Sequence, residues 1–512
     1  MKTEEEGSLT IFSALSLLLI LSFLLALLEG ARVSGLQMMD TLAADIGMDC
    51  VAAEYQTVLW DKYHLLYLDG AYGWDQFDEN KVSSRVMDYV AGNLSETGEN
   101  SVFRTKLCEA SLLEYMFATD NDGTGMLRQA SAYMKRHLPE DVAKKMYQQY
   151  QDGKKAEADG KTEYSVEDAD QAIINAKKEK EQADQNDKEG APQEEAGEKN
   201  IQDNENNHAQ DAEDGKKESP IQIVLQLKQN ALLGMTVSDM SSLSAKAVEA
   251  KDMVSNRQCE TGRYDMKKAE KMNVSDRVMV LEYIGKHFSD YTEPGKGDLT
   301  YEMEYILCGK DTDKKNLESS IERLMRMREA ANVAHIIADR EKLNQTLMIA
   351  TSLAGFSGNP AVVKIVQIGV VAAWAYVESI LDLRTLLSGG KISLIKSAAE
   401  WTTDLKKLGE IVTGEGKARE CKNGLSYQAY IKQLLFAMKE KKMAYRMMDI
   451  MELAMQKEQN GKNARMDHMI DNMICELRFE AKPLFAKRSF YGDMEMGGYT
   501  FFKRQKLSYI NE

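Results

Sequence analysis

Proline is scarce in this chain, 6 in 512 residues. Because proline breaks or kinks helices, its rarity leaves room for long uninterrupted ones. Cysteine is equally sparse: Cys50, Cys108, Cys259, Cys308, Cys421 and Cys475 lie far apart, with no C-x-x-C among them. That excludes a zinc ribbon and a thioredoxin-type motif. The six read as buried free thiols packing as small apolar residues, with disulfides as the alternative if they face an oxidising compartment. Histidine also numbers 6, and none falls in an H-E-x-x-H or a triad setting. No P-loop, G-x-G-x-x-G or G-x-S-x-G occurs. Positive charge is in deficit: 65 Lys and Arg stand against 81 Asp and Glu, for a net charge of −16. A general nucleic-acid partner is thereby disfavoured. No catalytic, cofactor-binding or metal-binding residue is assigned, no cofactor is expected, and the chain reads as a non-enzyme.

What the chain does have is one long apolar run. Leu9 to Leu28 contains twenty residues and no charge. As a helix it spans roughly 30 Å, the hydrocarbon thickness of a bilayer. A cleavable signal peptide has a shorter apolar core of about 7–15 residues and a small-residue exit. Here Glu29-Gly30-Ala31-Arg32 follows instead, which suits a retained anchor meeting water. The reading is a single-pass protein of the cell membrane, with residues 1–8 as a short head and the lipid bilayer as the partner of Leu9 to Leu28. The flanking basic residues are nearly balanced, Lys2 on one side and Arg32 on the other. The amino terminus is placed inside and the body outside.

The helix is expected to continue past the membrane. Leu36, Met39, Ala43, Ile46, Cys50 and Ala53 recur at steps of three and four, one face of an amphipathic helix, while Asp40, Asp45, Asp49 and Glu54 lie on more polar faces. Residues 29–62 are read as this stem, helical to about Trp60. The segment GSLTIFSALSLLLILSFLLALLEGARV, followed by MMDTLAADIGMDCVAAEY, resembles the amino terminus of the TadE/TadG-like proteins of Flp (Tad) pilus systems. The stretches EYILCGKDTDKKNL, AWAYVESILDLRTLLSGG, GLSYQAYIKQLL and YRMMDIME are similar to an uncharacterised Gram-positive family of membrane-anchored proteins with the same stem. The resemblance implies a structural or assembly role in the cell envelope, in a Flp/Tad-type pilus apparatus, with other stem-bearing membrane or pilus proteins as partners. Prepilins carry Glu at the fifth mature position. Were Gly7 the cleavage point, that position is Phe12, which argues against prepilin processing.

The remainder predicts a mainly helical α+β body with a small antiparallel sheet. Residues 63–150 form its first part, with Phe103, Leu107, Ala110, Leu113 and Phe117 as a helical stripe and a second helix over Met126 to Leu138. Residues 151–220 hold 21 Asp and Glu against 10 Lys, and read as an acidic disordered linker or insert, with at most a transient helix near Val166 to Gln182. Residues 221–512 form the rest of the extracytoplasmic body. Helices are expected over Leu243 to Met253, Asn273 to Phe288, from Asn316 onward, over Ala361 to Leu387, and from the capping Ser426 through Met455. Strands are expected at Leu299 to Leu307, Cys475 to Lys482 and Tyr499 to Tyr509 by their period of two. The uncharged run Ile365 to Val377 is too short to span, so Ala361 to Leu387 is a buried core helix.

Several constellations hold residue types that could carry chemistry. His335 and Asp339 sit four apart on a helix, but a pair is half a metal site. Asp120-Asn121-Asp122-Gly123 lacks the acids an EF-hand loop needs at its first and twelfth positions, and reads as a turn. Glu378 and Asp382 share a helix face, and with no second catalytic group they are expected to bridge Arg384, Lys391 or Lys396. The Met-rich stretch from Met438 to Met473 reads as core. An anchored hydrolase, or an envelope sensor or binding module, is the alternative reading.

Overall fold

From Lys2 to Ala52 the chain is one helix, α1, in a computed structural model that describes residues 2–95, 102–160, 165–189, 219–264, 272–409, 416–458, 461–484 and 498–509. The side chains from Leu9 to Leu28 stand almost free of protein cover, whereas Glu29, Arg32, Leu36 and Asp40 are buried. The helix stops short of Trp60. His64 in the left-handed region closes a separate turn, α2 (Thr57–Tyr63), whose cap Gln56 accepts from the Val58 amide at 3.3 Å. Then follow β1 (Leu68–Asp69), α3 (Glu79–Ser95), β2 (Lys106–Phe117), α4 (Thr124–His137), α5 (Glu140–Asp159) and α6 (Val166–Glu189). Beyond these come α7 (Pro220–Leu227), α8 (Leu232–Thr236), α9 (Val274–His287), α10 (Glu302–Cys308), α11 (Asp313–Ala338), α12 (Arg340–Ala354) and α13 (Pro360–Leu387). The chain closes with α14 (Tyr427–Phe436), α15 (Glu440–Gln456), β3 (Met469–Ala481) and β4 (Tyr499–Ser508). The fold is mainly helical, with a small antiparallel sheet and an apolar N-terminal helix.

Two compact units divide the chain, one from residues 1–137, 250–283 and 439–512, the other from 138–249 and 284–438. In the first unit β3 is the central strand. It pairs antiparallel with β2 along one edge, and with β1 and β4 end to end along the other. The C-terminal segment therefore completes a sheet that the N-terminal segment begins. Helices α1 and α3 pack on this sheet through Ala43, Ala44, Met48 and Val51, and through Val82, Val86 and Val90, against Leu107, Leu112, Met473, Leu477 and Phe479. The contact between the helices is close at Gly47, where a Cβ would come within 2.4 Å of Val90 Cγ2. Met443, Met447, Met448, Met451 and Met455 of α15 are all buried, so the Met-rich stretch is core.

In the second unit α13 runs through the centre, packed by α6, α7, α11 and α12. Among the described residues α1 and α13 are the helices long and apolar enough to cross a membrane; the apolar window of α1 is 0% buried and that of α13 61%. The expectation of a core helix for α13 agrees with that contrast. Caps stand where polar side chains reach back to free amides: Thr312 at α11, Asp339 at α12, Asn359 at α13 and Ser426 at α14.

Several expected elements differ. Leu299 to Leu307 is not a strand: Glu302 to Cys308 form α10, closed by Gly309 in the left-handed region. Met303 through Cys308 are all buried, so alternation there marks no face. Conversely, Leu107 to Phe117 is strand β2. Its pairing with β3 shifts register between Leu107 and Glu109, Leu112 and Glu114, and Met116 and Phe117. The first two put an extra residue, Cys108 and Leu113, into β2 and reset its alternation, leaving apolar spacings that imitate a helix; the third puts Asp471 into β3. Residues 243–253 carry only a 3-10 turn, Ala250–Asp252, and the helix expected through Met455 is broken into α14 and α15. Within 151–220, α5, α6 and α7 hold helical residues, and Val166, Ala169 and Ala176 of α6 are buried. A few apolar residues at helical spacing are enough to seat α6 on α13 despite the charge around them. Residues 161–164 and 190–218 of the expected linker lie outside the described residues.

Candidate functional site

The first place where the fold concentrates polar groups is just past the apolar run of α1. The Arg32 guanidinium lies 2.7 Å from the Glu29 carboxylate one turn earlier, both being nearly inaccessible. It also donates to the carbonyls of Val102 at 2.7 Å and Lys482 at 2.8 Å. Glu29 accepts in turn from the Leu484 amide at 3.3 Å. Three segments far apart in sequence are thus tied at one level of α1. One turn further, Gly35 faces Phe103, whose ring would meet a Cβ at 2.3 Å. Asp40, expected on a polar face, is buried instead; burial pushes its carboxyl up to about 6 against the pull of Thr105 and Lys503.

The second concentration lies inside the second unit. Arg328 on α11 donates through Nε and Nη2 to Asp382 Oδ2, both at 3.0 Å, and through Nη1 to the Leu394 carbonyl and the Tyr430 hydroxyl. Lys396 bridges Glu378 and Asp382, and all four charged side chains are 0% exposed. Glu378 also accepts from the amides of Thr402 at 3.1 Å and Thr403 at 2.9 Å. The two carboxylates foreseen as a structural pair are held by Lys396, one of the expected partners, and by Arg328, which was not foreseen. Two cations and two anions balance within this buried cluster. Its signal was present: Leu317, Ile321, Leu324 and Ala331 mark the buried stripe of α11, and Arg328 fills the missing step.

The third is a cleft of about 310 Å³ in the first unit, lined by residues including Thr119, Asp120, Arg257, Cys259, Glu260 and Tyr445. Its charges are already engaged. Arg257 pairs with Glu452 and, at 2.7 Å, with Asp467. Burial pushes the Asp467 carboxyl up, but Arg465, the Glu260 amide and Arg257 outweigh it and hold the group well below the usual carboxylate range. Glu260 lies 3.2 Å from His468, and Lys441 2.8 Å from Asp122. Asp120 accepts from the amides of Phe117 at 2.8 Å and Gly262 at 3.0 Å. Burial, helped by Asp467, pushes the Cys259 thiol up to about 11. It is therefore protonated at neutral pH and a poor nucleophile. The cleft offers hydrogen bonds to a small polar molecule, but no activated nucleophile beside a base.

The remaining sequence candidates separate. His335 stacks on Trp401 with centroids 4.9 Å apart, while Asp339 turns away to cap α12. Asp120 to Gly123 is a tight turn with Asn121 and Asp122 at positive φ. None of the six cysteines is in a disulfide, and Cys308, Cys421 and Cys475 are buried. Among the described residues no three His, Cys, Asp or Glu side chains converge to hold a metal ion.

A family model described as a family of unknown function, DUF5702, matches residues 210–481, just over half of the chain. Neither the curated proteins nor the solved structures contain a match to this chain.

Proposed function

We propose, on the premise that the chain belongs to the DUF5702 family of unknown function, that it is a membrane-anchored structural or assembly component of the cell envelope. The observation that carries this reading is the division of α1: bare from Leu9 to Leu28, then packed on the sheet from Glu29 onward without a break in the helix. A flexible tether needs no such continuity. A rigid stem transmits position between the bilayer and a folded body. The stem residues resemble TadE/TadG-like proteins, and the finer proposal is a role in a Flp/Tad-type pilus apparatus, with the body on the outer side of the membrane and other stem-bearing proteins as partners. The engaged charges of the cleft and the buried ion cluster fit a scaffold better than a hydrolase.

The test is cross-linking in intact membranes followed by purification of the full chain. Recovery of other proteins with an apolar N-terminal stem, reduced by replacing Ser22 or Gly30 with leucine, is the expected result. Recovery of the chain alone, unchanged by those substitutions, overturns the assembly role. Protease treatment of intact cells should cut the body; a body cut only after lysis overturns the assigned side.

A further inference from the structure

The bonds at Glu29 and Arg32 also determine what stands beside the point where α1 leaves its apolar run. Val102 and Leu484 are held there by their own backbone groups, the Val102 carbonyl on Arg32 and the Leu484 amide on Glu29. Neither side chain turns inward: Val102 is 46% exposed and Leu484 40%. Phe103, seated on Gly35, is itself 41% exposed. Val102 and Leu484 are thus displayed by rigid attachment within about one helical turn of the last residue of the span, and Phe103 about two turns from it. Water is a poor partner for such a patch. Lys106 and Lys482, both exposed, lie in the same two segments, where cations suit phosphate headgroups.

We infer that the base of the first unit is a bilayer-docking surface, in which Val102 and Leu484 insert into the headgroup–acyl boundary beside α1. The inference rests on Leu9 to Leu28 being a membrane span. The committed occupant is phospholipid, because the patch is continuous with the bare helix surface of that span. No protein partner is needed to cover it. The body then sits on the membrane at a fixed height and does not swing above it.

A photoreactive benzoylphenylalanine placed singly at Val102, Leu484, Leu24 and Ile46 tests this in the full chain, in vesicles of phosphatidylcholine and phosphatidylglycerol. Leu24 lies in the span, and Ile46 is an exposed apolar residue about 25 Å further along the helix from Glu29. Phospholipid adducts at Val102 and Leu484 should approach the level at Leu24 and exceed that at Ile46 by at least about tenfold. Lipid adducts at Leu24, with Val102 and Leu484 no higher than Ile46 or joined only to protein, overturn the docking surface while leaving the anchor. Absence of lipid adducts at Leu24 overturns the anchor, and the docking surface with it.

Discussion

Replacing Lys396 with methionine isolates the energetics of the buried cluster. The wild-type group holds two positive and two negative side chains, each 0% exposed. Methionine fills most of the space of the lysine stem but removes its charge, so Glu378 and Asp382 share the single guanidinium of Arg328. An uncompensated charge left in a buried pair costs about 3–5 kcal/mol. The two hydrogen bonds from Thr402 and Thr403 to Glu378 remain, which places the expected loss near the lower end, about 3 kcal/mol. The tryptophans make the assay local. Trp374 and Trp401 belong to the second unit, and the Lys396 ammonium lies 5.8 Å from the Trp401 ring centre. With Trp60 and Trp74 changed to phenylalanine, emission during urea unfolding reports the second unit, and its midpoint should fall by about 1–3 M. Adding Glu378→Gln to Lys396→Met restores neutrality and should recover at least about 1 kcal/mol by coupling. A single-variant loss below about 1 kcal/mol, or a double variant no more stable than the single one, refutes the balanced-charge account.

Arg32→Met should cost the first unit about 3 kcal/mol by stranding Glu29, and should speed amide exchange at Leu484, whose hydrogen bond goes to that carboxylate; unchanged exchange counts against the arrangement. Gly369→Ala forces a Cβ to 2.1 Å from Ala169 Cβ, so α6 should be prised from α13 at a cost of about 1–3 kcal/mol, visible as faster proteolysis within residues 166–189. Burial, with Asp290 adding to it, pushes the Glu304 carboxyl up to about 8. The folded state therefore holds its proton more tightly than the unfolded state, and this group's stabilising contribution is complete below its ordinary value of 4.5 and lost as pH rises through 8. Glu304→Gln should accordingly be more stable than the parent at pH 9 and close to it at pH 5, by unfolding at each pH; a gap that is the same at both removes the assigned proton.

The apolar run of α1, the core helix α13, strands β3 and β4 and the cap at Ser426 were legible because each depends on local pattern: charge-free length, period two, or a hydroxyl before a helix. What failed depends on partners remote in sequence. The bulges of β2 exist only against β3, and without them its apolar residues fall at helical intervals. Helix α10 is buried on all sides, so its alternation was incidental. Helix α6 was obscured by composition, since net charge describes the exposed side of a helix and says little about three or four residues that touch α13. The polar clusters divide in the same way. Glu378 and Asp382 announced themselves by spacing on one helix, whereas Arg328 came from another and needed the stripe of α11 to be read as interrupted by a charge. The Arg32 contacts with Val102 and Lys482 had no sequence signal, since Lys482 lies 450 residues away.

The central place of β3 imposes an order on folding. Helix α1 and β2 are made well before β3, the strand that both β2 and β4 require. Until Met469 to Ala481 arrives, β2 has two open edges and the apolar face of α1 has no sheet to cover it. The intervening second unit, with α13 already encircled by neighbours from its own segments, can close meanwhile. Pairing β3 with β2 is then a very long loop closure, a slow step. The buried hydrogen bonds that tie Glu29 and Arg32 to Leu484 and Lys482 can form only after this late segment is made, so they are the latch that records its completion.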